Sequence, residues 1–242
     1  MSTLSISTET VTEASLTVSS ARSSILTDRL GMASGLAFVL LWLYSATIVP
    51  EPPYEFDNQI LADFYKQNVA SYLVGAHLVA ISFLLFLIFI GTLHSLVRRL
   101  DQARSWLPSV LLGAGLMTAT MFMVSQASLV ATALMASRDV SPDLVRGLDE
   151  ISHSTAHLFV APLALFLITT GICILRFGIM PKWISFPCLL PGITLLITTG
   201  SFNHKEVLHK IGALALLLFM LSILIMSIAL LWRSRKTNGS EV

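Results

Sequence analysis

Six stretches of this chain, 31–50, 71–93, 106–137, 152–175, 183–203 and 211–232, contain no Asp, Glu, Lys or Arg. Histidine is the only ionisable residue inside them that takes a charge near neutral pH: His77 in the second, His153 and His157 in the fourth. A helix crosses a hydrocarbon core of about 30 Å with roughly 20 apolar residues at 1.5 Å per residue, so each run is long enough to span. Lipid offers the backbone no partner, which restricts a spanning chain to helices or a closed barrel. The runs lack the period-two alternation of barrel strands. A soluble globule is excluded by composition: 12% of the 242 residues are charged, against about 25% for soluble domains, with 55% hydrophobic residues and a mean hydropathy of +0.79. The sequence therefore predicts an all-α, polytopic membrane protein with six transmembrane helices.

Lys and Arg in the short connections set the orientation of such a bundle. Ten of them (Arg22, Arg29, Arg98, Arg99, Arg104, Arg176, Lys182, Arg233, Arg235, Lys236) fall on one side. Five (Lys66, Arg138, Arg146, Lys205, Lys210) fall on the other. The bias predicts a multi-pass protein of the cell membrane with both termini cytoplasmic, N-in/C-in. Residues 1–30 hold 14 Ser or Thr and no apolar run, a composition that buries too little to offset ordering entropy. They are expected to be a disordered cytoplasmic tail, followed by the six-helix domain over 31–232 and a basic cytoplasmic tail over 233–242. The tail has neither the basic start nor the apolar stretch of a secretory signal, and Glu9 and Glu13 argue against a transit peptide.

Two connections carry local structure. Pro50, Pro52 and Pro53 stop the first helix, and Asp57 stands where an N-cap belongs, so a short polar surface helix is expected to lead into the second span. Between the fourth and fifth spans, Arg176 suits a helix C-terminus, Gly178 a left-handed stop, Pro181 a helix start and Trp183 an interfacial anchor. Pro187, Pro191 and Gly192 predict a kinked fifth span. Gly31-x-x-x-Gly35 is spaced as a helix dimerisation face.

Several of these features, in this order, resemble an uncharacterised bacterial family of six-span integral membrane proteins, a domain of unknown function. The matching residues are Asp63-Phe64-Tyr65 through Asn68, Tyr72-Leu73 with Gly75-Ala76, Phe89 to Gly91 before Leu96 and Arg98, and Arg176-x-Gly178-x-x-Pro181-x-Trp183. The resemblance covers about 31–232 and implies a six-helix membrane domain with no established activity, cofactor or substrate. The His153/His157 pair is not part of that pattern.

Chemistry, if the chain has any, is expected among the outer histidines. Under the N-in/C-in topology His77, His153, His157, His204 and His209 lie at or near the outer face, with only His94 at the inner end. Ionisable residues in spans are costly and default to a functional hypothesis. His153 and His157 are four apart and share a helix face, with Asp149 one turn back. That interval holds a metal in zinc proteases, but the general-base Glu after the first His is here Ser154. His77 or His209 would supply a further ligand, and His77 with His157 is the pair available to a haem. Against this stands the plainer reading of wet, hydrogen-bonded interfacial residues. If a buried site exists, depth ranks His157 above His153. Ser125, Gln126, Ser128 and Thr132, with Thr198, Thr199, Ser201 and Asn203, line an outward-facing polar pocket or simply bond helix to helix. Cys173 and Cys188 flank the inner hairpin and read as packing thiols.

The sequence reading is thus a non-enzymatic membrane protein (structural, accessory or small-ligand binding) with no cofactor. The alternative is a membrane enzyme or redox protein binding a metal or a single haem through the outer histidines. Its partners are the lipid bilayer and a second copy or another membrane protein. A net charge of +1 without a basic, aromatic-interleaved patch excludes nucleic acid.

Overall fold

The computed structural model describes residues 28–52, 57–102, 105–198 and 206–238, with the backbone alone at 198, 206–212 and 234–238. The tail expected over 1–30 lies outside the described residues up to 27. From Asp28 the chain is already helical. The described elements are all helices: α1 (Asp28–Ile48), α2 (Asn58–Leu100), α3 (Leu107–Ser137), α4 (Pro142–Leu158), α5 (Val160–Phe177), a single 3-10 turn (Lys182–Ile184), α6 (Ser185–Thr198) and α7 (Glu206–Asn238).

Five helical stretches among the described residues are long and apolar enough to cross a membrane: α1, α2, α3, α4 continued by α5, and Ala213–Arg233 within α7. The sequence suggests six. The difference is the run 183–203, where the chain spends three residues on the 3-10 turn and α6 has only 14 residues. Such a helix is about 21 Å long at 1.5 Å per residue, short of a core of about 30 Å.

Neighbouring ends identify the two faces of the bundle. At one, Arg99 clasps the Asp28 carboxylate with Nη1 and Nη2, 2.9 and 3.2 Å. A Cβ on Gly31 would strike Thr92, and one on Gly35 would strike Ser227 and Phe89. The Gly31/Gly35 pair therefore seats α1 on α2 and α7 of its own chain, so its small-residue face is already used. Arg233 donates to the Ile179 carbonyl, which brings the end of α7 to the hairpin after α5. The start of α1, the end of α2, the hairpin and the end of α7 thus share one end, here the basic end.

The hairpin forms as its residues predict. Gly178 ends α5 at φ +60 with its N–H on the Ile174 carbonyl, 3.1 Å, a conformation that costs other residues a Cβ clash. Pro181 then precedes the 3-10 turn. Cys188 packs its sulfur 3.7 Å from that of Met226, and both cysteines are buried free thiols.

Between the ends, an aromatic column ties the helices together. Phe86 is fully buried and touches Phe38, Phe83, Phe166 and Phe219, at centroid distances of 4.8, 5.8, 5.6 and 6.0 Å. These rings come from α1, α2, α5 and α7.

At the other end α2 overhangs. Its 43 residues make about 64 Å of helix, twice the hydrocarbon thickness. The polar stretch expected as a separate surface helix starts after Asp57 as anticipated but continues into the span without a break. Its overhang packs on the end of α3 and the start of α4 through a second, smaller core of Leu61, Ala62, Tyr65, Tyr72, Ala133, Ala136 and Val145. This is a headpiece. α4 and α5 meet at Phe159, which is not in helix. Pro162 explains the break: it has no N–H for the Leu158 carbonyl, and its ring crowds that oxygen.

Candidate functional site

The headpiece gathers the polar chemistry. α2 and α4 lie side by side there because α2 presents Leu61, Tyr65, Val69 and Tyr72 on one stripe, at helical spacing, and α4 answers with Val145. Polar side chains bracket this contact. Asn58 donates to Asp143, 2.8 Å, and accepts from the Arg146 guanidinium, 2.9 Å. Lys66 pairs with Asp139, both exposed at the rim, where an ion pair contributes little. Tyr72 donates to the Pro50 carbonyl, 2.8 Å, which fixes the chain leaving α1.

Asp149 lies under that rim, 2% exposed. Its carboxylate accepts the Tyr65 hydroxyl at 2.5 Å across the helix pair. On its own helix, His153 places Nδ1 3.3 Å from the same carboxylate oxygen and 2.9 Å from the Asp149 carbonyl. Tyr65 itself is fully buried and packs against Tyr72 with the rings tilted, 5.0 Å between centroids. A carboxylate in this position is stabilised by its hydrogen bonds, because a buried unpaired one is far costlier. One more exchange ties the same region: Ser125 and Ser152 each donate to the other's carbonyl, 3.1 and 3.2 Å, joining α3 to α4.

The histidines divide accordingly. His153 forms the partly exposed end of this linkage, its side chain 37% exposed. His157, one turn on, is exposed, and so is His77 on α2. Burial within the protein, as distinct from depth in the membrane, favours His153: α4 turns His153 towards Asp149 and His157 outward. Among the described residues no group of three or more His, Cys, Asp or Glu is placed to hold a metal ion, so His77 does not join the other two. The side chain of His209 lies outside the described residues, as does all of His204.

Of the expected polar pocket residues, Ser125 bonds across to α4 and two others are spent on their own helix. Ser128 and Thr132 donate to the carbonyls four residues back, 3.1 and 2.9 Å. Thr198, Thr199, Ser201 and Asn203 fall outside the described side chains.

Sequence reasoning placed Tyr65 in the family resemblance but passed over it as a site residue. Its signal was the spacing of Leu61, Tyr65, Val69 and Tyr72, an apolar stripe inside a stretch otherwise polar. No family model, curated protein or solved structure matches this chain, so the headpiece geometry stands on its own.

Proposed function

We propose that this chain is a non-enzymatic protein of a bacterial cell membrane, with six traversals and both termini cytoplasmic, acting as a structural, accessory or small-ligand-binding component through its outer headpiece. The observation that carries this reading is the Tyr65–Asp149–His153 chain, a polar linkage in which buried Tyr65 bonds buried Asp149 across the headpiece helices and His153 holds the same carboxylate along α4. Such a linkage serves to hold a recognition surface rigid, since fully paired buried polar networks specify one arrangement. The topology draws support from the shared basic end, because a chain whose first helix starts and whose last helix ends on one face makes an even number of traversals. On that count α6, though short, returns the chain to the outer face. The ten-to-five split of Lys and Arg sets the basic end in the cytoplasm.

A second reading is favoured by His153 itself. A histidine whose Nδ1 is held by a carboxylate has the arrangement that orients metal-binding imidazoles, and His157 or His209 would supply the next ligand. Metal analysis and a visible spectrum of the purified protein separate the two. The first reading predicts no stoichiometric metal and no Soret band, with His153→Ala lowering stability by about 1–3 kcal/mol for the donor lost to Asp149 and His157→Ala lowering it less. Stoichiometric metal, with both substitutions and a chelator producing similar losses, would overturn the first reading and establish the second.

A further inference from the structure

On the flank of the bundle, α3 and α5 leave a groove of about 680 Å³ that is open to the surroundings. Trp106, Val110, Gly113 and Met117 form its α3 wall, and Ala161 and Leu165 line the α5 side. Trp106, Met117 and Leu165 are 67%, 53% and 47% exposed, so the groove faces what surrounds the bundle. On a membrane-spanning bundle that is lipid.

Three observations specify the lipid. The first is length: eleven residues separate Trp106 from Met117, about 16 Å of helix, which matches one leaflet of a core of about 30 Å. Trp106 marks the interfacial end of that depth, as tryptophan does in spanning proteins. The second is Gly113. Small residues in spanning helices normally let another helix approach, and Gly115 does so, since a Cβ there would lie 2.7 Å from Ile90. A Cβ on Gly113 would meet nothing within 4 Å, so the room it leaves is not taken by this chain. The third is charge. Trp106 stands at the basic end, where Arg98, Arg176 and Lys182 are exposed, and the acids described there are Asp28, held by Arg99, and Asp101, which accepts from Ser105. Arg176 closes α5, the groove's second wall, with its guanidinium 5.5 Å from the Phe177 ring centre. A guanidinium matches phosphate with two parallel hydrogen bonds.

We propose that the α3/α5 groove binds an acyl chain of an anionic glycerophospholipid from the leaflet at the basic end, with the lipid phosphate held there by Arg176. The inference rests on the membrane reading above but not on which side of the membrane the basic end faces. The full-length protein, delipidated in detergent and titrated with phosphatidylglycerol or phosphatidylcholine, is examined by native mass spectrometry. Wild type is expected to retain one phosphatidylglycerol at least tenfold more tightly than phosphatidylcholine. Gly113→Leu, which fills the floor with a good helix former, is expected to abolish retention. Arg176→Gln is expected to bring phosphatidylglycerol down to the phosphatidylcholine level. Gly91→Leu, also in open space but on α2, is expected to bind as wild type. A photoactivatable group midway along the acyl chain gives a readout independent of the variants, with crosslinking in wild type expected between 110 and 117. Unchanged retention in Gly113→Leu, equal binding of the two lipids, or crosslinks confined elsewhere would each overturn the proposal. Release of the chain from cell membranes by alkaline carbonate would instead overturn the membrane reading itself.

Discussion

Asp149→Ala should lower the stability of the detergent-solubilised protein by about 2–4 kcal/mol, the cost of taking the acceptor from two donors, one fully buried and one partly exposed. The carboxylate is 2% exposed and serves two partners at once. Its loss takes the carboxylate acceptor from the Tyr65 hydroxyl, on a fully buried ring between α2 and α4, and losing a buried hydrogen bond of this kind costs about 1–3 kcal/mol by itself. Tyr65→Phe should cost less, about 1–3 kcal/mol, since His153 still serves the carboxylate. The two changes should be strongly non-additive, because each removes the same hydrogen bond. Chemical denaturation of the four proteins in one detergent measures the cycle. Additive effects, or an Asp149→Ala variant within about 0.5 kcal/mol of wild type, would mean that the headpiece is not held by this linkage.

Phe86→Ala should be comparably severe, about 3–5 kcal/mol, as for large-to-small changes in packed cores. Within a membrane the gain on association comes from packing more than from water exclusion, and Phe86 supplies that packing to four rings at once. The cavity it leaves is enclosed by those neighbours, out of reach of lipid tails. Phe186, on α6 and 70% exposed, is the matched control, and its replacement by Ala should stay within about 0.5 kcal/mol. Thermal melts of both variants decide the matter. Similar melting temperatures would show that the aromatic column does not hold the bundle.

The spans were legible because lipid imposes a length and forbids charge, and five of the six runs are helices that meet both conditions. The hairpin was legible for a similar reason, since Gly178 and Pro181 each permit few conformations. Where several arrangements satisfy the same residues, the sequence was silent. The break at Phe159 follows from Pro162, yet a proline inside an apolar run is also compatible with an unbroken span, so composition did not separate the two. The shortness of α6 reflects residues given to the 3-10 turn, which hydropathy does not register.

The candidate site shows the same limit at single residues. Asp149, His153 and His157 were recognised as one stripe from their spacing, but a stripe has width. Which of its histidines faces the neighbouring helix depends on how α4 is rotated against α2, and Val145 and Tyr65 decide that rotation. Tyr65 comes from 84 residues away in the chain, a separation that no local pattern spans. Gly31 and Gly35 read as a dimerisation face, but the same spacing serves packing inside one chain, and the positions of Thr92 and Ser227 show that use.

Cysteine accessibility in intact cells tests the topology most directly. In a chain with Cys173 and Cys188 replaced by alanine, single cysteines are placed at 57 and 143 in the headpiece, at 102 between α2 and α3, and at 205 between α6 and α7. A membrane-impermeant maleimide should label 57, 143 and 205 in intact cells and reach 102 only after permeabilisation. Labelling of 102 together with protection of 57 and 143 would invert the bundle. Protection of 205 with the other three as expected would leave five traversals and contradict the shared placement of the two termini.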